Sequence, residues 1–219
     1  MGVERIILWR HGETDANRSL RIQGSIDIPL NERGRAQARA SAQQLAQFNP
    51  SKIYASSLGR AQQTAGELAA LAQVPVHIDP RLAERAYGCW EGLTAEEIKE
   101  RWHDEWEQWK LGYEPGLDIE SRQACGERMV AAILAAVEKA EDSTSGQTLV
   151  FASHGGAISC AVSALVGLNP STWQGLRVMD NCHWAMLIPR PGSNPQWRIV
   201  MYNRWNACTN DMVYGWDRA

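Results

Sequence analysis

The sequence has no long hydrophobic run and no surplus of positive charge. Nowhere do apolar residues approach the roughly 18 in succession that a membrane-spanning helix requires. The first apolar run, residues 6–9, is far too short for the core of a secretory signal, and Arg10 follows it directly. Lys and Arg number 22 against 25 Asp and Glu, which disfavours a dedicated nucleic-acid-binding protein. We therefore expect a cytoplasmic protein that binds neither membrane nor nucleic acid.

Cysteine and phenylalanine are also scarce. The five cysteines include no Cys-x-x-Cys pair, which argues against a disulfide framework and against a zinc cluster. We expect reduced thiols, no metal and no cofactor. Two phenylalanines stand against ten tryptophans, so indole rings must supply most of the aromatic packing, and some of them could line a ligand cleft.

What the sequence does contain is an alternation of strand and helix patterns. Strands are predicted at residues 5–9, 52–55, 74–78, 148–152, 182–188 and 197–202, and helices at 32–45, 58–71, 94–109, 121–140 and 155–166. Pro75 places the third strand at a sheet edge. This order predicts an α/β fold, a three-layer α/β/α sandwich whose mostly parallel central sheet carries helices on both faces. We expect one domain over residues 1–219, with an insertion or lid around 93–120.

Two histidines follow predicted strands directly, His11 after the first and His154 after the fourth. Ligands of such sheets bind outside the carboxyl ends of the strands. Gly12 and Gly155 allow a sharp turn and a close backbone approach after each histidine. The alternative is that both histidines are structural, either hydrogen-bonded within the core or capping a helix. Two histidines at equivalent strand ends in one short chain favour a ligand-binding site instead.

Two arginines strengthen the prediction of an anion site. Arg10 precedes His11, and Arg60 lies in the first turn of the helix that follows the second strand. The planar guanidinium group pairs with phosphate through two parallel hydrogen bonds. Alone, Arg60 would more often be a solvated helix residue; together with Arg10, His11 and His154 it favours a phosphate pocket.

These residues stand within ordered motifs that resemble a known family. Residues 10–14, which read Arg-His-Gly-Glu-Thr, are similar to the signature of the histidine phosphatase superfamily, also called the phosphoglycerate mutase-like family. The resemblance continues through Asn17 and through residues 29–34, 60–65, 82–84, 87–92 and 153–156. It covers residues 5 to about 166 in the family's order and spacing.

The resemblance implies catalysis through a covalent phosphohistidine on His11. Arg10, Arg60 and His154 would bind the phosphoryl oxygens, and Glu84 would act as general acid and then general base. Without the resemblance, Glu84 would be taken for an ordinary exposed glutamate. Further substrate-binding residues implied by the family are Asn17, Gln23, Gly24 and Gly155.

The resemblance leaves the outcome of the reaction open between a phosphatase and a 2,3-bisphosphoglycerate-dependent phosphoglycerate mutase. Residues 84–88 are mutase-like, but Thr94 and Ala95 replace an Asn-Lys pair of the mutases, and residues 90–92 have the phosphatase-like form. These differences favour a phosphatase. A non-catalytic phosphate-binding protein is a third alternative, which loss of His11, Arg60, Glu84 or His154 would have indicated; all four are present.

The substrate is expected to be a small phosphomonoester, most simply an acidic sugar phosphate. Residues 21–24, 179–184 and 204–207 extend the similarity to one group of phosphatases within the family. The insertion contains Trp106, Trp109 and Tyr113, whose rings could stack on a sugar or simply pack a lid. Arg122 and Arg128 of the next helix could bind a substrate carboxylate or face solvent. A homodimer is compatible with the sequence. The tail that begins at Thr209 could fold over the cleft or pack at a dimer interface.

Overall fold

The central sheet has six strands. In a computed structural model that describes residues 2–140 and 146–205, their order is β3-β2-β4-β1-β5-β6. The strands are β1 (Val3–Arg10), β2 (Lys52–Ala55), β3 (Val76–Ile78), β4 (Gln147–Ser153), β5 (Trp184–Pro189) and β6 (Trp197–Arg204). The first four are mutually parallel, whereas β5 runs antiparallel to β1 and to β6. The predicted α/β class with a mostly parallel sheet is confirmed.

Helices cover both faces of this sheet. They are α1 (Asp15–Arg18), α2 (Glu32–Ala46), α3 (Gly59–Ala72), α4 (Ala95–Arg101), α5 (His103–Lys110), α6 (Arg122–Glu138) and α7 (Gly155–Leu165). Buried side chains of α2 and α3 pack on one face, and those of α6 and α7 pack on the other. The two apolar layers lie on either side of the strands, as a three-layer sandwich requires.

The first strand shows how the sequence builds both layers. Successive side chains of a strand point to opposite faces. Accordingly Ile6 and Leu8 pack in the layer of α6 and α7, while Ile7 and Trp9 pack in the layer of α2 and α3; all four are fully buried. A continuous apolar run is therefore what a central strand covered on both faces needs.

The structure differs from the predicted elements at several boundaries, and three differences have a local physical cause. The helix predicted at 94–109 is two helices, because Trp102 leaves helical geometry at φ −137° and ψ 62°. Asp104 and Glu105 lie in the first turn of α5, where negative charge favours a new helix start. The strand predicted at 74–78 begins only at Val76, and Pro75 cannot donate to the ladder. The short helix α1 was not predicted; Thr14 begins it with a capping box.

Cysteines and possible membrane segments can be checked within the described residues. Cys89 is exposed, Cys125, Cys160 and Cys182 are buried, and all four are free thiols. Cys208 and the tail from Thr209 lie outside the described residues. None of the described helices is long and apolar enough to cross a membrane.

Candidate active site

The two strand-end histidines lie side by side. Strands β1 and β4 are parallel neighbours with Arg10 opposite Ser153, so His11 and His154 leave the sheet together. Their ring centroids are 5.1 Å apart, and both side chains are buried. The structure therefore brings together the pair that the sequence predicted.

The ring of His11 is held with one nitrogen available as a nucleophile. Its Nδ1 lies 2.7 Å from the carbonyl oxygen of Gly12. Because a carbonyl can only accept, Nδ1 carries the proton and Nε2 keeps its lone pair. Burial lowers the pKa of His11 well below 6.5, and the charges of Arg10 and Arg60 lower it further. His11 is thus neutral near pH 7.

Both arginines are fixed by backbone carbonyl groups. The Arg60 guanidinium donates to Gly24 O at 2.8 Å and to Ile26 O at 2.7 Å, and Arg10 Nη1 donates to Met179 O. The Nε–H of each arginine is buried and has no hydrogen-bond partner among the described residues. Each arginine therefore keeps a buried donor that no described residue satisfies.

His154 supplies a third such nitrogen. Its Nε2 lies 2.9 Å from the Ser56 hydroxyl, and its buried Nδ1 has no partner within the described part of the chain. Burial lowers the pKa of His154 well below 6.5, with His11 and the nearby arginines adding to the effect. When the Ser56 hydroxyl donates to Nε2, the proton of the neutral ring resides on Nδ1. Buried polar groups are nearly always hydrogen-bonded, so unpaired donors around His11 indicate a site for an anion.

Glu84 reaches the same place from the loop after a 3₁₀ turn (Pro80–Leu82). Its carboxylate accepts hydrogen bonds from the backbone N–H groups of Arg85 (2.9 Å), Gly156 (3.2 Å) and Ala157 (2.8 Å). Two of these groups belong to the first turn of α7. The carboxylate is thereby held beside a helix N-terminus, in the wall of the same cavity that His11 lines.

The phosphate pocket is a cavity of about 270 Å³ whose lining includes Arg10, His11, Asn17, Gln23, Gly24, Arg60 and Glu84. Asn17 Oδ1 accepts from the Asn181 side chain at 3.1 Å, and Gln23 Oε1 accepts from the Thr14 hydroxyl at 2.9 Å. With their oxygens engaged, both amides have N–H groups left to donate to a ligand.

Gly155 lies behind Arg10 and does not line the cavity; Gly156 does. A Cβ at position 155 would lie 2.7 Å from Val178 Cγ1 and 3.2 Å from Arg10 Nε. The residue therefore makes room for Arg10. That Gly155 contacts the substrate itself stays a prediction.

A second cavity of about 370 Å³ adjoins the phosphate pocket. The two share four lining residues, Tyr87, Trp109, Gly156 and Val178. Burial raises the pKa of Tyr87, so its hydroxyl stays protonated and can donate. Four basic side chains line the second cavity, and no acidic residue is among its described lining residues; the basic residues are Arg85, Lys110, Arg122 and Arg177. All four pair with carboxylates outside the lining, but Arg85 and Arg122 share Glu114, so the wall keeps a surplus of positive charge that suits a negatively charged part of a ligand.

The residues predicted to contact the rest of the substrate divide into two groups. Trp106, Trp109 and Arg122 line the second cavity, whereas Tyr113 and Arg128 do not. Arg128 instead donates to the carbonyl groups of Ala83 (2.8 Å) and Glu84 (3.0 Å) and to the carboxylate of Glu120. It supports the Glu84 loop from behind.

Sequence reasoning missed several residues of the site. Arg85 and Tyr87 lie within the mutase-like stretch, which was a usable signal. Trp173 lines the second cavity from the loop between α7 and β5, and nothing in its sequence context indicates this. Asn181 donates to the His11 carbonyl at 3.1 Å, which explains why the segment around it accompanies the catalytic motifs.

Comparison with known proteins decides the family. Residues 6–204 match the model of the histidine phosphatase superfamily (branch 1). The chain belongs to the histidine phosphatase superfamily. The site geometry agrees with this, since five residues of the motifs line one pocket and His154 lies beside His11; the five are Arg10, His11, Asn17, Arg60 and Glu84.

Curated superfamily members extend the similarity along the chain. A glucosyl-3-phosphoglycerate phosphatase of Mycolicibacterium vanbaalenii is 31% identical over 97% of this chain and all of its own length. A probable phosphoglycerate mutase of Yersinia enterocolitica is 37% identical, over 81% of each chain. The predicted similarity to one group of phosphatases is confirmed, and that group is the glucosyl-3-phosphoglycerate phosphatases.

Solved structures of the superfamily give the same result. A mycobacterial glucosyl-3-phosphoglycerate phosphatase in complex with VO3 superposes with a TM-score of 0.84 at 31% identity, covering 92% of this chain and 99% of its own. A phosphoserine phosphatase mutant from Entamoeba histolytica, in complex with phosphoserine, has a TM-score of 0.78 at 28% identity and covers 94% of this chain and 99% of its own.

Proposed function

We propose that this protein is a phosphomonoesterase that hydrolyses an acidic sugar phosphate through a phosphohistidine on His11. One observation carries the proposal: Arg10 Nε, Arg60 Nε and His154 Nδ1 are buried without partners among the described residues. The charges of both arginines act on His11, and the ring centroid of His154 lies 5.1 Å from that of His11. A phosphoryl group has three peripheral oxygens, each of which can accept from these donors.

In the first step, His11 Nε2 attacks phosphorus and the bond from phosphorus to the ester oxygen breaks. Protonated Glu84 gives its proton to the leaving alkoxide, and the phosphoryl group stays on Nε2. Arg10, Arg60 and His154 offset the charge that develops on the oxygens in the transition state.

In the second step, a water molecule loses its proton to Glu84 and attacks the phosphoryl group. The bond from Nε2 to phosphorus breaks, inorganic phosphate leaves, and His11 and protonated Glu84 are regenerated. The anchoring of Glu84 by backbone N–H groups supports both of its roles, because the same carboxylate must face the leaving alcohol and then the water.

The second cavity supports an acidic substrate. Its four basic side chains suit a carboxylate on the leaving alcohol, and its indole rings suit a sugar. Glucosyl-3-phosphoglycerate combines a phosphate, a carboxylate and a sugar, and it is the substrate named for curated relatives. Helix α5 supplies Trp106 and Trp109 to the cavity wall, which supports residues 93–120 as a lid of a single domain.

Release of inorganic phosphate from a panel of phosphomonoesters tests the proposal, without added metal or bisphosphoglycerate. The panel contains glucosyl-3-phosphoglycerate, 3-phosphoglycerate, other sugar phosphates and an aryl phosphate. The proposal predicts steady release, fastest for glucosyl-3-phosphoglycerate. The mutase alternative is favoured by relatives named as mutases. Isomerisation of monophosphoglycerates after priming with bisphosphoglycerate, without phosphate release, would establish it instead.

A further inference from the structure

The second cavity has three tryptophans in its wall, and two of them are engaged by other protein groups. The guanidinium carbons of Arg122 and Arg85 lie 4.3 and 4.8 Å from the ring centroid of Trp109. The Trp106 ring packs edge-on against Trp90, with centroids 6.0 Å apart. These contacts are typical of indoles that stabilise the wall itself.

Trp173 is placed differently. It is 37% exposed, and within residues 2–140 and 146–205 no other ring or guanidinium group stacks on it. Its indole packs closely on the backbone of Gly175, where a Cβ would lie only 2.4 Å from Trp173 Cζ2. A side chain at position 175 would displace the ring, so glycine allows the indole to lie against the chain.

Hydrogen bonds fix the loop that carries this indole. The backbone N–H of Trp173 donates to Asn169 O at 2.9 Å, and the Ser171 hydroxyl donates to Glu114 Oε1 at 2.9 Å. Glu114 also accepts from the Arg122 backbone N–H at 2.8 Å and pairs with the Arg122 guanidinium. Glu114 thus connects the loop that carries the exposed indole to Arg122.

We propose that Trp173 binds the sugar ring of the substrate by stacking and thereby determines selectivity for glycosylated phosphomonoesters. This inference rests on the proposed function. One face of a pyranose is a row of C–H groups, which packs well against a flat indole and removes apolar surface from water. The phosphoryl group of the same molecule lies at His11, and its carboxylate lies near Arg122. The two joined cavities provide room for all three parts.

The test compares two substrates that differ only by the sugar, glucosyl-3-phosphoglycerate and 3-phosphoglycerate. The measured quantity is the ratio of their kcat/KM values in the wild type and in Trp173→Leu and Trp173→Tyr. Leucine keeps apolar bulk without a ring, and tyrosine keeps a ring. We expect the ratio to fall at least tenfold in Trp173→Leu and to stay within threefold of wild type in Trp173→Tyr.

Tyr113→Ala is the matched control, because Tyr113 is an aromatic residue of the insertion that is 64% exposed and does not line the cavity. Its ratio should equal that of the wild type. Equal loss for both substrates in Trp173→Leu, or an unchanged ratio, would overturn the sugar contact. So would Trp173→Tyr behaving like Trp173→Leu.

Calorimetric titration separates this inference from the proposed function. The His11→Ala protein is titrated with both phosphate esters, alone and with Trp173→Leu added. We expect Trp173→Leu to weaken binding of the glycosylated ester at least tenfold more than binding of 3-phosphoglycerate. If Trp173→Leu has this effect but the wild type releases no phosphate, the sugar contact at Trp173 stands and the proposed phosphatase activity is wrong. Phosphate release by the wild type with equal weakening for both esters would do the reverse.

Discussion

The carboxylate of Glu84 accepts a hydrogen bond of 2.8 Å from the backbone N–H of Ala157, in the first turn of the helix that follows His154. Glu84, the proposed general acid, is therefore attached to the same helix that His154 precedes. Any shift of α7 would move both groups relative to His11. The ends of β1 and β4, the start of α7 and the Glu84 loop are thus joined by direct contacts around the proposed phosphoryl site.

Glu84→Gln should separate substrates by their leaving group. Glutamine keeps one oxygen, which can accept from the Ala157 N–H, but it loses the oxygen that accepts from Gly156 and cannot transfer a proton. We expect kcat/KM to fall by about 100-fold or more for an alkyl phosphate, and clearly less for a nitrophenyl phosphate, whose leaving group needs little protonation. Glu127→Gln, which alters an exposed carboxylate of α6, is the control and should change neither value. Equal losses for both esters would refute the acid role.

Arg60→Lys should weaken phosphate binding although the charge is kept. The guanidinium donates to Ile26 O from Nη1 and to Gly24 O from Nη2 and keeps Nε–H for the ligand. The three N–H groups of a lysine all lie on one nitrogen and cannot take these separate positions. We expect the KM for a phosphomonoester and the inhibition constant for vanadate to rise at least tenfold. Arg33→Lys is the control, since the Arg33 side chain is 75% exposed. Unchanged vanadate inhibition in Arg60→Lys would show that Arg60 does not contact the phosphoryl group.

The two buried histidines should make folding stability fall as the pH falls. Below about pH 6.5 the unfolded chain protonates both rings, whereas the folded chain, with pKa values well below 6.5, does not. Between the lowered folded values and 6.5, each histidine should remove about 1.4 kcal/mol of unfolding free energy per pH unit.

Urea unfolding of the wild type and of His154→Asn between pH 7.5 and 5.5 measures this dependence. The unfolding free energy of the variant should depend less steeply on pH, by about 1.4 kcal/mol per pH unit, because one of the two histidines is removed. A steeper slope in His154→Asn would mean that the folded protein carries His154 as a cation.

Gly12→Ala should destabilise the fold more than a glycine substitution elsewhere. A Cβ at Gly12 would lie 2.3 Å from the carbonyl oxygen of Gly34, a backbone atom that cannot move aside cheaply. We expect a loss of about 1–3 kcal/mol or more in the free energy of unfolding. Gly66→Ala, at a helix position with open space, should be neutral or stabilising by up to about 1 kcal/mol. Equal stability of the two variants would contradict the close contact between the first two motifs.

The sequence alone predicted the mostly parallel sheet and the two strand ends at which His11 and His154 lie, because both depend on local patterns. A continuous apolar run followed by a histidine identifies a central strand and the end that carries the site, as in β1 and His11. The family motifs then supplied Glu84 and Asn17. The helix break at Trp102 could not be predicted, since it depends on how α5 packs its indoles against Trp90 in three dimensions.

The second cavity was only partly predictable for the same reason. Arg122 and Trp109 come from the segments expected to cover the site. Arg85 and Trp173 lie 88 residues apart along the chain and join the wall only through tertiary packing. Tyr113, which the sequence places beside Trp109, turns away to solvent. Neighbouring positions in a loop do not fix which side chains face a cavity.

The most direct test of the account is rapid chemical quenching of the wild-type protein during turnover of a phosphomonoester labelled at phosphorus. The account predicts a protein-bound phosphoryl group that is labile in acid and stable in alkali, that maps to the peptide containing His11, and that is absent from His11→Asn. Turnover without bound label at any quench time, or label on another residue, would contradict it.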